Sequence, residues 1–254
     1  MLRRPLVHAR LIAALAAVPV VAACEDAGTA PTSYVQVVGG SAWVAVAEPP
    51  GMARADTWLP WLAPGGPAAA QVRQLRDAAG RARTAGRIEQ SLALEDDALR
   101  LAAGSLARAP EAMRGVLAPL AALDAWTDRA RTRLETGRYP ELAAAAAGVS
   151  VEAAAARRAL AAGDTMKAVT HLASGTLLAR RHSALGVGLR LLAAVEARIG
   201  PEQRDESADL RRARHLLTGA REALSTGDSM RAMRRALYAL QLLDAQGLHL
   251  STPF

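Results

Sequence analysis

"ARRALAAGDTMKA" at residues 156–168 and "AREALSTGDSMRA" at residues 220–232 are two versions of one pattern, identical at eight of thirteen positions. Each opens on alanine, arginine and leucine and then breaks, at Gly163-Asp164 and at Gly227-Asp228. Alanine and leucine are strong helix formers. Glycine takes the left-handed conformation beyond a helix end without strain. The aspartate that follows can accept hydrogen bonds from the free N–H groups that start a second helix. The pattern therefore encodes helix, tight turn, helix. "ARTRLETGRYPEL" at 130–142 shares the alanine-arginine start, the leucine and the glycine, Gly137, and "RTAGRIEQSL" at 83–92 is a fainter copy centred on Gly86.

Composition agrees with a helical reading. Hydrophobic residues make up 51% of the 254, charged residues 22% and aromatic residues only 3%. A core so poor in rings has to be filled by alanine and leucine, which let helices approach closely. From about residue 67 to 247 apolar residues recur at helical spacing: Ile88, Leu92, Leu99, Ala102 and Leu106, then Leu185, Leu189, Leu192, Val195 and Ile199, then Leu210, Ala213, Leu217, Ala220 and Leu224. Pro110, Gly148 and Gly200-Pro201 punctuate the pattern, and Pro119 kinks or divides the segment 111–136. Eight or nine helices joined by short turns are expected. The fold class is all-α, with the helical domain at 67–254.

The turn pattern "LxxGDxxxA" or "LxxGRY" resembles the inter-helix turn of tetratricopeptide repeats, with Gly137-Arg138-Tyr139 the nearest match. Ala168, Ala232 and Ala239 fall where that family places small packing residues. The glycines at 86, 137, 163 and 227 lie 51, 26 and 64 apart, whereas that family repeats every 34 residues or so. The resemblance implies an irregular array of helical hairpins, of the kind that presents concave binding surfaces, with a compact helical bundle as the alternative.

The N-terminus reads differently. "MLRRPLVHAR" carries positive charge and "LIAALAAVPVVAA" is an apolar run of about a dozen residues, too short for the roughly 20 that span a bilayer. Cys24, the only cysteine, follows directly. Val21-Ala22-Ala23-Cys24 resembles the lipobox of bacterial lipoproteins. That resemblance implies a leader over 1–23, a diacylglyceryl group (palmitate among its chains) on the Cys24 sulfur, and a mature chain held at a membrane of the cell envelope. Residues 24–33, "CEDAGTAPTS", then read as a tether. An ordinary cleaved signal peptide with a chance cysteine is the competing reading.

Between tether and helices lies an aromatic-rich segment, 34–66. Two β-prone runs, Tyr34–Val38 and Ala42–Ala47, flank Gly39-Gly40 and predict a short β-hairpin. Three of the four tryptophans, Trp43, Trp58 and Trp61, fall within residues 43–61. They serve either as a contact patch for a partner or ligand, or as large plugs for a core short of bulky side chains; the composition favours plugs.

Little else carries chemistry. One cysteine excludes an intramolecular disulfide and any multi-cysteine metal site. The histidines are His8, His171, His182, His215 and His249. His171 and His182 would share a face only on a continuous helix, and no HExxH or ExxH pattern accompanies them. No GxSxG, phosphate-loop or dinucleotide glycine pattern occurs. The acidic run at 95–97 reads as a solvated helix face. Net charge is +7, and removing Arg3, Arg4 and Arg10 with the leader leaves 28 basic and 24 acidic residues, or +4. That is no nucleic-acid-binding field. Residues 157–254 carry 15 basic and 9 acidic residues, with arginine pairs at 157–158, 180–181, 211–212 and 234–235, which read as salt-bridged helix surface.

The sequence thus leads to a non-catalytic envelope lipoprotein without metal or cofactor, whose helical hairpins bind another envelope protein. The alternative is a small-molecule or lipid binder with the Trp43–Trp61 segment as pocket wall or lid. The residues carrying these expectations are Cys24 for lipidation, Trp43, Trp58 and Trp61 for contact, and Gly137, Gly163, Asp164, Gly227 and Asp228 for the turns.

Overall fold

The computed structural model describes residues 33–38, 41–199 and 207–245, which belong to one unit spanning Pro31–Phe254. The leader, Cys24, the tether up to residue 32, the Gly39-Gly40 pair and His249 lie outside the described residues. The chain is all-α with one hairpin before the helices. Strand β1 (Ser33–Val38) pairs antiparallel with β2 (Ser41–Val46), Val35 opposite Val44 and Gln36 opposite Trp43. Nine α-helices follow among the described residues: α1 (Ala55–Trp58), α2 (Pro67–Thr84), α3 (Ile88–Gly104), α4 (Ala118–Glu135), α5 (Pro140–Ala161), α6 (Thr165–Arg180), α7 (Ala184–Ile199), α8 (Ala208–Ser225) and α9 (Ser229–Ala245). A 3-10 turn at Leu59–Trp61 extends α1, and a π-helical turn at Ala112–Leu117 leads into α4. Pro119 falls in the first turn of α4, where its missing N–H costs nothing, so it divides the segment rather than kinking a helix.

Three helix pairs are antiparallel hairpins closed by the same turn. In α5–α6, Gly163 has φ 76°, its N–H donates to the Leu160 carbonyl at 2.9 Å, and the Asp164 N–H reaches back to Ala159 at 2.8 Å. The α8–α9 turn repeats this with Gly227 at φ 86°, Gly227 to Leu224 at 3.0 Å and Asp228 to Ala223 at 2.8 Å. The faint copy repeats it too: Gly86 has φ 73°, with Gly86 to Arg83 at 2.9 Å and Arg87 to Ala82 at 2.8 Å. These paired bonds satisfy carbonyls that a helix end otherwise leaves open, and the positive φ is why glycine stands there. Asp164 and Asp228 then cap the next helix, each Oδ1 accepting at 2.9 Å from the backbone N–H of Lys167 and Arg231.

Gly137, the nearest match to the tetratricopeptide turn, is the copy that does not make this turn. Its φ is not positive, and the chain leaves α4 differently because Pro140 starts α5 and holds Tyr139 at φ −125°, ψ 84°. The Tyr139 ring lies over this glycine: an added Cβ would sit 2.5 Å from its hydroxyl, so the ring would have to shift.

Two apolar cores result. The first is built by α1–α6 around Trp58, Trp126, Leu99, Leu123 and Leu172. The second is built by α7, α8 and α9 around Leu191, Val195, Leu237 and Leu240, joined by Ile88 from the start of α3. Helices α7 and α9 run parallel, with Gly188 against Met233 and a buried ion pair joining Arg198 to Asp244 at their far ends. The hairpin stands between the two. On β2, Val44 and Val46 belong to the first core, whereas Ala45, with Trp43 packed beside it, belongs to the second. Side chains alternate along a strand, so one apolar strand closes two cores at once.

Candidate functional site

The segment after β2 is where the tryptophans and the longest-range polar contacts meet. The Val46 N–H donates to the His182 carbonyl at 2.8 Å, the Arg129 Nη1 donates to the Ala47 carbonyl at 3.1 Å, and the Arg180 Nη2 donates to the Ala53 carbonyl at 3.2 Å. The segment is thereby pinned to α4 and to the α6–α7 turn. Such ties satisfy backbone carbonyls that burial removes from water.

Within this frame the three tryptophans part company. Trp58 is 0% exposed, and its indole N–H donates to the Gly115 carbonyl at 2.7 Å. Trp61 is 8% exposed and its carbonyl accepts from the Ala107 N–H at 3.0 Å. Gly115 makes room for Pro110 and the Trp61 ring, since a Cβ there would lie 2.4 Å from the one and 3.4 Å from the other. Trp58 and Trp61 are core plugs and offer no ring to an incoming ligand. Trp43 differs: it is half-buried, and the Arg190 guanidinium stands 6.0 Å from its ring centroid, within cation–π range. Arg190 also pairs with Glu141 at 3.0 Å, so Trp43, Arg190 and Glu141 form one surface group at the edge of the seam.

His171 and His182 do not converge. Helix α6 ends at Arg180, so His171 and His182 are not on one continuous helix. His171 Nδ1 lies 2.7 Å from the Glu152 carboxylate on α5. His182 is buried in the α6–α7 turn, where loss of hydration holds its pKa below the usual histidine value; Arg190 and Arg181 push the same way and Glu141 opposes them. Among the described residues no three histidine or acidic side chains are grouped to hold a metal, and no described helix is long and apolar enough to cross a membrane.

The turn residues Gly163, Asp164, Gly227 and Asp228 lie at the hairpin ends as shape-setting residues, and Gly137 sits apart from them. Sequence reasoning missed Arg190 and Arg129 and placed Arg180 in a salt-bridged surface pair, whereas Arg180 is ion-paired but buried; the partners of Arg129 and Arg180 lie 82 residues or more away. A signal for the two-sided strand was present: "AWVAV" is apolar at both odd and even positions, the mark of a strand covered on both faces.

Compared with protein-family models, with curated proteins and with solved structures, the chain finds no match in any of the three.

Proposed function

We propose that this chain is a lipid-anchored protein of the bacterial cell envelope, held through Cys24, whose helical hairpins form a non-catalytic scaffold for another envelope protein. The observation that carries the reading is Val21-Ala22-Ala23-Cys24 directly behind a charged and then apolar leader, in a chain with no other cysteine. A thiol is the nucleophile that thioether formation requires, and small residues before it give a peptidase access to the backbone. One acyl chain binds a membrane only marginally, whereas two or more anchor stably. The array of helical hairpins supports the scaffold half, because stacked hairpins present broad surfaces for partners. Trp43, with Arg190 and Glu141 around it, is the aromatic residue of the segment best placed for such a contact.

The anchor is tested by metabolic labelling with palmitate. Label is expected in the parent protein and absent from Cys24→Ser; label that survives the substitution refutes the anchor. The scaffold half is tested by affinity capture of the parent from gently solubilised membranes, with Trp43→Ala as the comparison. A partner lost in the variant is the expected result, and a catch equal to background in both counts against the scaffold.

A further inference from the structure

We propose that the cleft between α1, α2, α3 and the end of α6 is a binding site for a phosphate group, and this stands independently of the membrane anchor. Four guanidinium groups line it: Arg54 just before α1, Arg76 and Arg83 on α2, and Arg180 closing α6. Three carboxylates hold three of them. Arg76 pairs with Asp56 at 2.6 Å, Arg83 with Glu95 at 2.6 Å, and Arg180 with Asp96 at 2.9 Å. Arg54 has no carboxylate partner among the described residues, which leaves the cluster one positive charge in excess.

The ion pairs fix the arginines without exhausting them. A guanidinium carries five N–H donors in a planar fork, and each of these ion pairs engages one nitrogen of it. Arg180 is further fixed by its bond to the Ala53 carbonyl and is almost wholly buried. Preorganised forks with spare donors suit an oxyanion that accepts several hydrogen bonds at once, which is why arginine predominates at phosphate sites.

The room for such a group comes from one residue. Arg76, Gly80 and Arg83 follow the i, i+4, i+7 spacing and so occupy one stripe of α2. Gly80 is the gap between the two arginines, and a Cβ added there meets nothing within 4 Å. Its backbone is ordinary helix, where glycine is a poor former and alanine a better one. Neither conformation nor packing calls for glycine at this position, and its missing side chain leaves the cleft open. The cleft offers about 150 Å³ and stands open to solvent, which is room for one phosphate group.

The test is titration calorimetry of the protein with inorganic phosphate, with glycerol phosphate and with acetate, each against chloride at matched ionic strength. Saturable binding of the phosphates, at least tenfold tighter than acetate, is expected. Gly80→Met should fill the cleft and Arg54→Ala should remove the spare charge, each weakening phosphate at least tenfold. Neither residue packs against the core: without phosphate, Arg54→Ala should melt like the parent and Gly80→Met no lower than the parent, since methionine is the better helix former. Tighter binding of glycerol phosphate identifies a phosphomonoester as the occupant, and tighter binding of inorganic phosphate identifies the free ion. Phosphate indistinguishable from chloride, acetate bound as tightly, or a Gly80→Met protein that binds like the parent would each overturn the site.

Discussion

His182 shows how much one buried side chain can set. Its carbonyl receives the Val46 N–H and its ring is taken out of water next to Arg181 and Arg190, so the folded state resists its protonation. The unfolded chain has no such resistance and takes up the proton below about pH 6.5. The unfolded state therefore binds more protons in that window, and stability falls as pH falls from about 6.5 towards the lower folded value, by at most about 1.4 kcal/mol per pH unit. Above it the group contributes no slope. Denaturant melts of the parent at pH 7.5, 6.5 and 5.5 should show this loss, and His182→Gln should lose less. A parent whose midpoint does not move between pH 6.5 and 5.5 would contradict it. Only the neighbouring Arg181 was legible in the sequence: desolvation depends on what packs over the ring, and Arg190 gives no sign there of its distance to it.

At the scale of the element, the three glycine turns differ in one respect. Asp164 and Asp228 cap their second helices, whereas Arg87 stands in that place on α3 and gives no side-chain cap. Its backbone, φ −87° and ψ 69°, nearly matches that of Asp164, φ −92° and ψ 75°. Arg87→Asp should therefore supply the missing bond to the N–H of Gln90 and stabilise the protein by about 0.5–2 kcal/mol, read as a higher midpoint in urea. An unchanged or lower midpoint would show that the α3 start does not need the cap. The hairpins themselves were readable from residues because everything they need lies within five positions of the glycine. Gly137 was misleading for the same reason: Pro140, three positions on, outweighs the local pattern.

For the whole molecule, the important relation is that β2 belongs to both cores. The all-α class and the run of hairpins follow from periodicity and composition. The split into two cores does not, since apolar stripes on α1–α6 and α7–α9 look alike and no residue announces which stripe it will meet. The shared strand predicts that both cores unfold together. Three tryptophans, Trp58, Trp61 and Trp126, report on the first core, and helical circular dichroism reports on both. The two signals should share one midpoint in urea. Separate midpoints would mean that the strand does not couple them. Trp43→Ala, which removes the ring packed on the second core, should lower that midpoint, at a cost of about 2 kcal/mol for a half-buried ring.

That shared strand also imposes an order on synthesis. Residues 43–46 leave the ribosome before any helix of either core exists, and α7, the second-core helix packed on this strand, follows about 140 residues later. At about 5–20 residues per second the wait is on the order of 10–30 s. Throughout it the strand can pair with β1, already made, but its apolar face toward the second core stays uncovered, a condition that favours aggregation. The strand that joins the finished molecule is its most vulnerable part while it is being made.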